Sequence, residues 1–154
     1  MTQETILAID PGPSESGWCL YRDGRVLKSG VAANPVLRGA VKHNIEGADV
    51  LAIEMVQNFG MPVGAEVFST CLEIGRYVEA WHDPEAVRLV FRKDVKLLLC
   101  GTARAKDPNV RAALIDLIGP PGTKRDPGPT YGVKSHAWSA LAVAVTAAAH
   151  MEAI

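Results

Sequence analysis

Two short apolar runs, Ile6-Leu7-Ala8-Ile9 and Val50-Leu51-Ala52-Ile53, each end in an acid, Asp10 and Glu54. A run of this length without polar alternation fits a buried strand, and Asp10-Pro11-Gly12 marks a loop at the end of the first. The carboxyl ends of strands are where open α/β sheets keep their sites. The pair therefore constrains the fold and the chemistry together.

The order of the remaining elements follows from punctuation and period. Gly17 to Arg22 reads as a second strand, Asp23-Gly24 as a tight hairpin turn and Arg25 to Val31 as a third strand, so the chain opens as an antiparallel meander. Asn34-Pro35 looks like a cap and first-turn proline for a helix running to about Asn44. Asp49 to Glu54 is the fourth strand. Val67, Cys71, Ile74, Val78 and Trp81 recur at helical spacing, which predicts a long helix over Val63–Trp81 closed by Asp83-Pro84. Val87 to Phe91 is a fifth strand, Lys93 to Cys100 a helix stopped by Gly101, and Asp107-Pro108 caps a helix reaching Ile118. The Pro/Gly/Lys-rich stretch Gly119 to Lys134 predicts a mobile loop. Ser135 is the predicted cap of an alanine-rich helix through Met151, whose small side chains allow close packing on a sheet.

This is an α/β order with a mixed five-stranded sheet flanked by helices, the ribonuclease H-like arrangement, in a single domain spanning residues 1–154. Strand four can lie parallel beside strand one through a crossover, and both acid-ended strands then finish on one edge. Two carboxylates held that close repel unless a cation or a proton neutralises them, so the pair implies either Mg²⁺ or a strongly raised pKa. Either acid taken singly is equally well a strand-end residue capping a loop.

With 48% hydrophobic and 21% charged residues, the composition excludes disordered, fibrous and membrane classes. The first five residues carry no basic patch leading into an apolar stretch, and no apolar run is long enough to span a bilayer, so a cytosolic location is expected. Cys19, Cys71 and Cys100 are odd in number and widely spaced, which suits reduced core thiols. The net charge of −1 is unevenly spread: residues 1–87 hold 6 Lys/Arg against 12 Asp/Glu, and residues 88–134 hold 10 against 4. The basic half can face a polyanion. Arg92, Lys93, Lys96, Arg104, Lys106, Arg111 and Lys134 are its candidates for phosphate contacts, and solvated helix faces are the plain alternative.

His136 falls in the first turn of the last helix with Ser139 three residues on, so both face one side of an otherwise apolar element. His43, His82 and His150 read as surface or helix-end residues. The helix Val63–Trp81, with Gly64, Ala65, Ser69 and Gly75, is the best candidate dimer surface, the alternative being burial within one subunit.

Taken in order, four segments resemble the RuvC family of Holliday junction resolvases, especially its shorter phage and prophage members. They are Ile6-Leu7-Ala8-Ile9-Asp10-Pro11-Gly12 with Gly17; Leu51-Ala52-Ile53-Glu54; Asp94-Val95-Lys96 through Gly101-Thr102-Ala103-Arg104-Ala105-Lys106; and Ser135-His136-Ala137-Trp138-Ser139-Ala140-Leu141-Ala142. The resemblance covers most of the chain. It implies a homodimeric, metal-dependent endonuclease of a bacterial or phage-infected cytosol that nicks opposing strands of a four-way DNA junction with paired symmetric cuts. Asp10 and Glu54 match its first two metal-binding acids, and His136 falls where the family has Asp or His. Two Mg²⁺ ions, with Mn²⁺ as substitute, would be held by Asp10, Glu54 and His136, and His136 would ligate an ion or orient the attacking water. Ser139 falls where a further Asp is common; the departure implies a weaker second metal position, a water-mediated contact, or another acid such as Asp126. Phe59, in the loop after Glu54, matches a family aromatic that stacks on an unpaired base, with core packing as the alternative.

Three rivals remain at this level. An actin-like kinase or ATPase shares the first hairpin but needs a second lobe for which this chain is too short. A catalytically weakened junction-binding protein would keep the basic segment and lose metal dependence. A ribonuclease H-like nuclease acting on other branched or hybrid nucleic acids would share the whole site.

Overall fold

A computed structural model describes residues 3–153. Strands β1 (Ile6–Asp10), β2 (Glu15–Arg22) and β3 (Arg25–Ala33) form the antiparallel meander. Helix α1 (Asn34–Lys42) leads to β4 (Val50–Met55), which pairs parallel with β1, and α2 (Ala65–Ala80) leads to β5 (Val87–Phe91), parallel with β4. Helices α3 (Arg92–Cys100), α4 (Asp107–Ile118) and α5 (Ala137–Glu152) complete the chain. The five-stranded order is β3-β2-β1-β4-β5, the mixed sheet expected from the sequence.

The central strands read as unbroken apolar runs because helices cover both faces of the sheet. Ile6, Ala8, Val50 and Ala52 pack toward α5, together with Leu114 and Val95 from α4 and α3. Leu7, Ile9, Leu51 and Ile53 alternate to the other face, against Leu37 and Val41 of α1 and Ile74 and Tyr77 of α2. Alanine dominates α5 because a helix laid across the middle of a sheet must approach closely, and Ala137, Ala140, Ala144 and Ala147 are all buried. At the β2–β3 turn, Asp23 and Gly24 both adopt positive φ, 49° and 77°, as a two-residue hairpin loop requires.

Four local expectations are corrected. Asn34 does not cap α1. Its buried side chain accepts from the Ser16 and Tyr77 hydroxyls, at 2.7 and 3.0 Å, and donates to the Gly12 carbonyl at 2.9 Å, tying the loop after β1 to α1 and α2. Ser135 does not cap α5 either: it sits at φ 50°, and His136 occupies the cap position without a side-chain cap bond. The segment from Gly119 to Lys134 is not a loose loop but a set of hydrogen-bonded turns. Thr130 is fully buried and donates to Gly119 O at 2.9 Å, Gly128 N donates to Pro121 O at 2.9 Å, and Gly122 bridges Pro127. Proline and glycine without periodicity mark tight turns as well as mobile chain, and only the backbone pairing distinguishes them. Finally, Cys19 is a core thiol, but Cys71 and Cys100 are only half-buried.

Candidate active site

Register and parity assemble the site. Ile9 of β1 pairs with Ile53 of β4, so the next residues, Asp10 and Glu54, emerge side by side. Each continues the strand positions that face α5, since successive side chains alternate between faces. The start of α5 is therefore the element they meet: His136 Nδ1 lies 3.2 Å from Asp10 Oδ2.

The two carboxyls are mostly withdrawn from water, with side-chain exposures of 13% for Asp10 and 15% for Glu54. Burial raises both pKa values above the ordinary range, because a charged carboxylate loses hydration there. The hydrogen bond between them separates the two: Glu54, pushed up to about 8 by burial and then by its contact with Asp10, keeps the proton and donates it to Asp10. Asp10 thus accepts from Glu54 on one side and faces His136 on the other. The pair carries the neutralising proton that two adjacent carboxylates require.

A cation also stands at the site. Arg92, the first residue of α3, places Nη1 3.4 Å from Glu54 Oε1, while its Nη2 donates to Asp107 Oδ1 at the start of α4. Asp107, Arg92, His136 and Ser139 line both of the clefts that meet here. The first, of about 380 Å³, also takes in Glu54, Lys96, Arg111 and Trp138, and the second takes in Asp10 and the Pro11–Glu15 loop. Among the described residues no group of three or more His, Cys, Asp or Glu side chains is placed to hold a metal ion. The donors are nonetheless hard oxygens on an open cleft, with the Arg92 guanidinium beside Glu54. That fits an ion such as Mg²⁺, which is commonly bound through one or two carboxylates and keeps positions for water and phosphate.

Of the predicted residues, Asp10, Glu54, His136 and Ser139 are brought together here, and Lys96 lines the same cleft. Lys93, Arg104, Lys106 and Lys134 are exposed and line neither cleft. Arg111 stacks on the Trp138 ring, 4.8 Å from its centroid, and so is part of the cleft wall. Phe59 is 69% exposed, which overturns core packing for it. Asp126 lines neither cleft and is engaged in a turn, exchanging backbone hydrogen bonds with Thr123. The residue the sequence hides is Asp107. Asp107-Pro108 looks like a helix cap, yet the side chain closing this turn is that of Asn109, which accepts from Lys106 N–H at 2.9 Å.

No family model matches the chain, and no curated protein matches it. Solved structures do. A Thermus thermophilus RuvC in complex with a Holliday junction substrate superposes with a TM-score of 0.74 at 20% identity, covering 97% of this chain and 96% of that one. A second T. thermophilus RuvC structure gives a TM-score of 0.68 at 22% identity, with 96% of each chain covered. At that identity the likeness establishes the fold, shared over 97% and 96% of this chain.

Proposed function

We propose that this chain is a divalent-metal-dependent endonuclease that resolves four-way DNA junctions by paired symmetric phosphodiester hydrolysis. One observation carries the reading. Asp10 and Glu54 sit side by side at the carboxyl ends of parallel strands, with His136 on Asp10, in a fold shared over nearly its whole length with a junction-bound RuvC.

Asp10 and Glu54 would hold Mg²⁺ or Mn²⁺, two ions per site, with His136 near the second; an imidazole suits Mn²⁺ better than Mg²⁺. Bound ions would supply an acidified water and a counter-charge for the leaving oxygen. Glu54 would hold an ion as a carboxylate, so metal binding there would compete with its proton. Burial of the pair excludes bulk water, so the charges act in a medium where they are poorly screened. His136 instead remains accessible, with 62% side-chain exposure, as a group that orients a water or a phosphate must be.

Lys96 and Arg92 in the cleft, with Lys93, Arg104, Lys106 and Lys134 around it, would hold the backbone by charge, which positions DNA without reading sequence. Phe59, exposed in the loop directly after β4, would stack on a base at the strand exchange. A homodimer would bring two sites to one junction. The outer face of α2 suits that role: Gly64, Ala65, Ser69 and Gly75 are exposed beside Phe68 and Leu72, at 64% and 58% exposure. No described helix is long and apolar enough to cross a membrane.

Labelled four-way junction, linear duplex, flap and RNA–DNA hybrid, incubated side by side with Mg²⁺ and with Mn²⁺, test the proposal. Paired nicks confined to the junction are expected. Preference for the hybrid or flap would assign another ribonuclease H-like activity, and junction binding without cutting would make the protein a binding module.

A further inference from the structure

We propose that Asp107 is a metal-holding acid of this site, supplying the carboxylate that Ser139 does not, and that Arg92 is a built-in cation which an entering ion displaces. The inference rests on the metal-dependent reading above and adds a ligand that the sequence motifs do not contain.

Three observations lead to it. First, Asp107 opens α4 on the wall shared by both clefts, in the company of His136 and Ser139, although 97 residues of chain separate it from Asp10. Second, one guanidinium bonds Glu54 through Nη1 and Asp107 through Nη2, so a single planar cation already bridges the two acids. Third, Asp10 lines the second of these clefts together with Arg92, Asp107 and His136. Glu54 and Asp107 thus share one of the chain's own positive groups, on the cleft wall beside Asp10.

The neighbours exclude other assignments for this acid. Asn109 closes the first turn of α4, and the Asp107 carboxylate is directed to Arg92 instead of its own helix. Ser139 offers a neutral hydroxyl, a weaker ligand for a hard divalent ion than a carboxylate. Asp126 lies in the Thr123–Asp126 turn and lines neither cleft. The Arg92–Asp107 pair is itself suited to exchange, because Asp107 is 71% exposed and solvated ion pairs are weak.

The test is Mn²⁺ binding to the full chain without DNA, read from the paramagnetic resonance of free Mn²⁺, with thermal melts to verify folding. Asp107→Asn should weaken binding roughly tenfold, and adding Ser139→Asp to it should restore much of the loss. Arg92→Ala should tighten binding by removing the competing cation. Weaker binding in Arg92→Ala would instead show that Asp107 acts only by holding Arg92, and would overturn the proposal. Unchanged binding in Asp107→Asn, with binding lost in Asp10→Asn, would overturn it and leave the metal site standing. Absence of Mn²⁺ binding in the wild type would remove the metal-dependent reading and this inference together.

Discussion

Gly17 on β2 lies so close to the backbone of His136 that a Cβ added at Gly17 would overlap the His136 carbonyl and come within 2.8 Å of its Cβ. Absence of a side chain at this one position is what lets the start of α5 settle against the sheet, and it is this seat that brings His136 onto Asp10. Gly17→Ala should therefore cost about 1–3 kcal/mol through forced backbone movement. It should also raise the metal concentration needed for half-maximal cutting, as His136→Ala should. Thermal melts and a metal titration measure both effects, and a stable variant with unaltered metal demand would dissociate the glycine from the site.

Asp10→Asn removes the carboxylate that faces both Glu54 and His136 while leaving the basic residues in place. Junction cutting should disappear and junction binding persist. Cutting at the wild-type rate would exclude Asp10 from the chemistry.

The buried pair makes the stability of the metal-free protein depend on pH. Glu54 holds its proton up to about pH 8 in the fold, against an ordinary value of 4.5, so the native state binds more protons than the unfolded chain between those limits. This contribution is fully present below the lower value, falls as pH rises through the window and is lost above it; Asp10 shifts in the same direction. Metal affinity should run oppositely, rising with pH toward 8 as the competing proton leaves. Melting temperatures of wild type and Glu54→Gln across this range check the sign: the variant should show the flatter profile.

Lys96 lines the cleft and Lys106 precedes α4, so together they sample the basic half of the surface. Replacing both by Ala should weaken junction binding and reduce the slope of log affinity against log salt by about 1.8, near 0.9 for each duplex phosphate that is no longer neutralised. Binding isotherms at several salt concentrations provide the slope. A slope equal to that of the wild type would place the DNA elsewhere.

Phe68 and Leu72 stand one helical turn apart on the exposed side of α2. A second copy seated there would bury both, so Phe68→Glu with Leu72→Glu should shift the protein to monomer in sedimentation and convert paired cuts to single nicks. Paired cutting by a protein that sediments as monomer would refute this surface as the dimer contact.

The parts legible in the sequence are those set by neighbours along the chain. Apolar runs, the Asp23-Gly24 turn and the 3.6-residue period are local signals, and they place the meander, the two acid-ended strands and the long helix within a few residues of their observed bounds. Adjacency of Asp10 and Glu54 also follows, because a parallel crossover leaves few ways to seat β4. Relationships between distant segments depend on how the layers stack. The Arg92 bridge from Glu54 to Asp107, the anchoring of Gly12 by Asn34 and the seat of His136 on Gly17 join residues 15 to 119 positions apart. Asp107 and Asn34 carry ordinary helix-start signatures, and only packing decides that one turns to an arginine and the other to a loop. Local free energies select the elements; the final position of each polar side chain is selected by the charges and donors that folding leaves beside it.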